Sequence, residues 1–163
     1  MQMKFEYNNF GMEGSNVKLK RIPIYKCVLE KSDNYYAFNN YISGPNDAYD
    51  LCKSYLENED REHFVIIMLN VKHKVIGINT VSIGVLSSCP VHPREVFKPA
   101  IVSNSHGIIA VHNHPSGDPY PSDDDIRITR RLKEAGEILG IALVDHIIIG
   151  DHRYMSLKEM GYI

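Results

Sequence analysis

The stretch VHNHPSGDPYPSDDD, residues 111–125, runs from a strand end through a turn-rich loop into a helix start. The apolar run from Ile108 to Val111 before it suits a buried strand, which Pro115 ends by removing a backbone donor. Side chains alternate with period two along a strand, so His112 and His114 share a face. Gly117, Pro119 and Pro121 make the loop. Ser122 is a natural N-cap, acidic residues 123–125 favour the positive end of a helix dipole, and Gly140 stops the helix. Ile128, Leu132, Ala135 and Leu139 recur at i, i+4, i+7, i+11, which predicts the buried face of that helix.

On the C-terminal side, IALVDHIIIG (141–150) reads as a last strand before a short terminal segment. On the N-terminal side, Pro93 opens a helix holding Val96, Phe97, Ala100 and Ile101, with Pro99 expected to kink it. HFVIIMLN (63–70) and VIGINTVSIG (75–84) read as antiparallel strands around a turn at Lys72–Lys74. Ala48, Leu51, Cys52, Tyr55 and Leu56 recur at helical spacing and predict an amphipathic helix over 46–57. KRIPIYKCVLE (20–30) and YYAFNNYI (35–42) read as strand material around a turn at Lys31–Asn34, so residues 17–44 are expected to form an N-terminal strand extension. Residues 1–16 lack any period and are expected to form a flexible tail. A chain of 163 residues fits one domain. Strands and helices mix without a strict βαβ repeat, which favours an α/β sandwich around a mixed, largely antiparallel sheet.

The chemistry concentrates where the strand end faces the helix start. His112, His114 and Asp125 make three protein ligands and leave the fourth tetrahedral position to water, the pattern of catalytic rather than structural zinc. An HxH pair alone is common, and Asp125 with Ser122 has a purely structural reading as a capping box. It is the combination that points to a metal. Asp145 or His146 could orient a ligand from behind, or simply pack in the core. His63, His73, His106 and His152 have no convergent partners, His92 reads as a loop residue before Pro93, and Asp118, Asp123 and Asp124 suit loop and dipole roles.

Eighteen basic residues face twenty acidic ones, for a formal charge of −2, which provides no footprint for nucleic acid. Cys27, Cys52 and Cys89 form no CxxC pair, which argues against a disulfide framework and for buried thiols in a reducing compartment. No apolar run reaches the roughly 20 residues that span a bilayer, and the N-terminus is polar rather than signal-like. A cytoplasmic protein without membrane partners is expected.

His112-x-His114-Pro115, six residues, Ser122, two residues, Asp125 matches the JAMM (MPN+) metalloprotease motif at every fixed position. The longer string HNHPSGDPYPS resembles the RadC-like branch of that family, as do VHPREVF (91–97), the IxxVHNHPSG approach and DHIIIG (145–150). The resemblance implies a cytidine-deaminase-like MPN sandwich and a RadC-like JAB domain over 45–163, in the short form without a helix-hairpin-helix segment. It further implies one zinc per chain, bound by neutral imidazoles of His112 and His114 and by the Asp125 carboxylate. Ser122 would hydrogen-bond a developing oxyanion, and an upstream glutamate would act as general base. Glu62, just before a strand, is favoured for that base, and Glu95 in PREVF is its rival. The implied activity is a metallopeptidase or isopeptidase acting on a protein or peptide. Two alternatives stand beside it: a DNA-repair-associated role attached to the RadC name, which the charge does not support, and a non-catalytic MPN scaffold. Neither the substrate nor the oligomeric state is legible.

Overall fold

The computed structural model describes residues 22–37, 39–56, 59–84 and 91–163. Its elements are α1 (Pro45–Leu56), β1 (His63–Leu69), β2 (Val75–Ile83), α2 (Pro93–Val102), β3 (Gly107–Asn113), α3 (Asp123–Leu139), β4 (Ala142–Ile149) and β5 (Tyr154–Ser156). They form a five-stranded sheet of order β2-β1-β3-β4-β5. Only the β3–β4 pair is parallel, the connection that carries α3, so the sheet is mixed and largely antiparallel as expected.

Strand alternation sorts the apolar residues onto two cores. Val65, Ile67 and Leu69 of β1 join Ile109 and Val111 of β3 under α1, whose Ala48, Leu51, Cys52 and Leu56 face inward. Phe64, Ile66 and Met68 join Ile108 and Ala110 on the opposite face, beneath Val96, Phe97 and Ala100 of α2 and Leu132 of α3. Helices on both faces of one sheet make the α/β sandwich that the MPN resemblance implies. His112 continues the alternation of Ile108 and Ala110, and this places it under α3.

Several local expectations need correction. Residues 22–37, 39 and 40 contain no strand: Ile22, Ile24 and Tyr25 are exposed, and Tyr41 makes only an isolated bridge with Lys74. Strand-like composition requires a pleated, half-buried surface, and this segment stays exposed, meeting the start of β2 only where Asn40 and Ile42 bond to Val75 and His73. The expected tail, the start of the extension and Cys89 lie outside the described residues. The α2 helix continues through Pro99 to Val102, with the Ser103 amide donating to the Pro99 carbonyl. The buried residues of α3 are Asp125, Thr129, Leu132 and Gly136. That face is turned about 60° from the predicted one at 100° per residue. Ile128 and Ala135 flank it, and Leu139 is exposed. Gly136 explains the rotation: a Cβ there would lie 2.4 Å from the Ile141 carbonyl, so only glycine lets the helix approach this closely.

Candidate metal centre

The end of β3 and the first turn of α3 bring three side chains together. His112 is fully buried, His114 is half-buried, and Asp125 is buried on the inner face of the helix. His112 Nε2 lies 3.1 Å from His114 Nε2 and 3.2 Å from Asp125 Oδ1, and His114 Nε2 lies 3.5 Å from Asp125 Oδ2. Metal–ligand distances near 2.05 Å with tetrahedral angles put neighbouring ligand atoms about 3.3 Å apart. The His112–His114 and His112–Asp125 Oδ1 separations lie near that edge length, and one ligand atom from each of the three residues lies within 4.8 Å of the other two, so the cluster can hold a divalent ion.

Local structure fixes each ligand. The Ser122 hydroxyl donates to Asp125 Oδ2 at 2.5 Å, the Ser122 amide donates to the same oxygen at 2.8 Å, and the Asp125 amide donates to Ser122 Oγ at 3.2 Å. This is a reciprocal capping box, so the structural reading of Ser122 and Asp125 holds alongside the ligand geometry. His114 Nδ1 donates to the Asp118 carbonyl at 2.7 Å, so Nε2 is the ring nitrogen that faces His112. Gly117, at φ 81°, turns the loop so that its carbonyl accepts from the Asp151 amide.

Burial alone would raise the Asp125 pKa, but hydrogen bonds with His112 and His114, the charge of His112 and the Ser122 hydroxyl hold it far below the usual carboxylate range. Burial opposes a charge on His114, yet Asp125, the Asp118 carbonyl and Glu62 outweigh it and raise the pKa.

Glu62 is half-buried immediately before β1. Phe64 is in register with His112 and stacks on its ring, centroids 5.8 Å apart. Glu62 lies just before β1, and its charge helps raise the His114 pKa. The rival Glu95 is exposed in the first turn of α2 and pairs with Lys98 at 3.9 Å. Of the two carboxylates, Glu62 has the electrostatic contact with the cluster.

Four contributors carry no clear sequence signal. Asn113 Nδ2 donates to the Arg61 carbonyl at 2.9 Å and its Oδ1 accepts from the His63 amide at 2.8 Å, clamping the backbone on both sides of Glu62. Phe64 covers His112, and Asp118 acts through its carbonyl rather than its carboxylate. Thr129, one helical turn beyond Asp125, contacts His146 on β4 at 2.6 Å. Its spacing from Asp125 is the one hint the sequence holds. His92 serves as the N-cap of α2, and His63 packs beside Glu59 at 3.6 Å, so neither joins the centre.

Residues 42–162 match the RadC-like JAB domain family. The chain belongs to that family. A UPF0758 protein of Caldanaerobacter subterraneus is 54% identical over 124 residues, covering 76% of this chain and 53% of its own. A UPF0758 protein of Alkaliphilus metalliredigens is 56% identical over 122 residues, covering 74% and 53%. One from Staphylococcus haemolyticus is 48% identical over 153 residues, covering 88% and 67%. The chain thus spans about half the length of most of the curated relatives described here. Their names assign no reaction, so the chemistry of this JAB domain is argued from its own residues. No helix among the described residues is long and apolar enough to cross a membrane.

Proposed function

We propose that this JAB domain is a zinc-dependent hydrolase of amide or isopeptide bonds in a protein or peptide substrate. The observation that carries the reading is the convergence of two imidazole nitrogens and a carboxylate oxygen within 4.8 Å of one another, with the Glu62 charge acting on the same cluster. When bound, the ion supplies Lewis acidity toward the scissile carbonyl and lowers the pKa of water to about 7.

Glu62 accepts a proton from the attacking water and returns it to the leaving nitrogen, as a carboxylate beside a cationic cluster can do near neutrality. His112 is sealed beneath Phe64, whereas Ser122 is exposed and His114 half-exposed, so the substrate approaches from the Ser122 side. Ser122 Oγ donates to a developing oxyanion once its proton leaves Asp125 Oδ2.

The test is elemental analysis of untagged wild type and the His112→Ala/His114→Ala variant, followed by a peptide and isopeptide library. About one zinc per chain, lost in the variant, is expected for a site with three protein ligands. Glu62→Gln is expected to keep zinc and lose hydrolysis. A wild type that takes up no zinc after dialysis at neutral pH refutes the metal reading. Wild type that binds zinc but leaves every bond intact refutes the hydrolase.

A further inference from the structure

Behind the ligands, β4 places His146 in full burial between His112 and Thr129. His146 Nε2 lies 2.8 Å from His112 Nδ1, and His146 Nδ1 lies 2.6 Å from Thr129 Oγ1. Thr129 Oγ1 also lies 2.6 Å from the main-chain carbonyl of Asp125.

The direction of every hydrogen bond in this chain is determined, and from both ends. A carbonyl only accepts, so the single hydroxyl proton of Thr129 goes to Asp125. Thr129 Oγ1 then accepts from His146, so His146 carries its proton on Nδ1 and presents a bare Nε2. That nitrogen accepts from His112 Nδ1–H, so His112 Nε2, which faces His114 and Asp125, is the nitrogen left for an ion. Starting at the other end, His112 can bind an ion through Nε2 only if its proton sits on Nδ1, and the same polarity propagates back to Thr129. Hydrogen bonding at the remote ring nitrogen is the usual way a ligand histidine has its tautomer and orientation set. Here the donor path runs His112 to His146 to Thr129 and ends on the backbone of a second ligand, Asp125. It ties the strand ligand to the helix ligand.

Reaching this position requires an irregularity in β4. Ile108 pairs with Leu143 and Ile109 with Asp145, so Val144 is an extra residue in the parallel ladder. Leu143 faces the α3 core, and unbroken alternation would send His146 to the α1 face. The bulge resets the alternation, turning His146 toward His112 while Val144 packs in the α1 core.

We propose that His146 and Thr129 are positioning residues of the metal centre, a relay that holds His112 in its Nδ1–H tautomer and sets its spacing to Asp125. The relay's effect on metal binding rests on the metal-centre reading, whereas its hydrogen-bond polarity exists with or without an ion.

Two measurements test it. Long-range proton–nitrogen correlation spectra of metal-free wild type are expected to show both His112 and His146 protonated on Nδ1. Zinc affinity by chelator competition is expected to fall about tenfold or more in Thr129→Val, the lower end for loss of a partner hydrogen-bonded behind a ligand. Thr129→Ser, which keeps the hydroxyl, is expected to restore it, and folding of each variant is checked by circular dichroism. His146 protonated on Nε2 in wild type would overturn the proposal, as would Thr129→Val binding zinc like wild type or Thr129→Ser failing to rescue it. If wild type takes up no zinc, the proposed hydrolase fails, and the proposal, whose effect is on zinc affinity, is overturned with it; the spectra then separate that failure from one of polarity.

Discussion

Zinc uptake should carry a proton signature that comes from His114. Without metal, Asp125, the Asp118 carbonyl and Glu62 together raise the His114 pKa against the opposing effect of burial. An ion coordinated at His114 Nε2 must displace that proton, whereas buried His146, held well below its usual pKa by desolvation, has none to release. Competition by a single proton lowers apparent affinity about tenfold, roughly 1.4 kcal/mol, for each pH unit below the raised pKa. Above that pKa the affinity should be flat. The stability of the metal-free protein runs the other way: a raised histidine pKa contributes stability that is present below the unfolded value and lost as pH rises through the folded one. Thermal stabilisation by zinc should therefore grow as pH rises, because the metal-free reference weakens while binding tightens. The assay is competition against a chelator of known proton dependence from about pH 5.5 to about pH 8, paired with thermal melts at the same values. Asp125→Asn removes a ligand and the largest influence raising His114, so its affinity should be weaker and its bend should move to lower pH. A corrected slope of zero across the range would refute the assignment of the proton to His114. A slope of two would refute the single-proton count.

Asn113→Leu should leave the Arg61 carbonyl and the His63 amide unpaired. The expected cost is about 1–3 kcal/mol in urea unfolding with zinc stoichiometry unchanged, and wild-type stability would exclude the clamp. Gly136→Ala sets a methyl 2.4 Å from the Ile141 carbonyl. It should destabilise by about 1–3 kcal/mol through overpacking, and a neutral result in the same assay would show that α3 can move. Ser122→Ala removes the capping box and should lower stability by about 1 kcal/mol; a fall in kcat with KM unchanged would locate its further action at the oxyanion. Glu95→Gln disturbs only an exposed pair and should stay within about 0.5 kcal/mol of wild type with full zinc affinity.

Much of the site could be read from local sequence because its ligands sit on locally encoded features. The histidines two apart face one way because strands alternate. The helix begins at Ser122 because Ser and Asp satisfy its first amides, and that same cap aims Asp125 inward. The β1–β2 pair and all three helices follow from apolar period and punctuation, which are also local. The strand expected before α1 failed because a strand is completed by a partner, and composition says nothing of whether one is present. The buried face of α3 differs from the expected one because its inward residues include an aspartate, a threonine and a glycine, which meet His112, His146 and the Ile141 carbonyl rather than an apolar surface.

By itself, then, the sequence determined which elements form, which side chains are candidate ligands and which family the chain resembles, since these depend on periodicities and spacings within about twenty residues. Tertiary structure alone decided the strand order, the action of the Glu62 charge on His114, the clamp at Asn113 and the line from His112 through His146 to Thr129. Each of these joins residues distant in the chain, and the last depends on one extra residue in β4. A single inserted residue reverses which side of a sheet every later side chain faces, and only the register against the neighbouring strand reveals it.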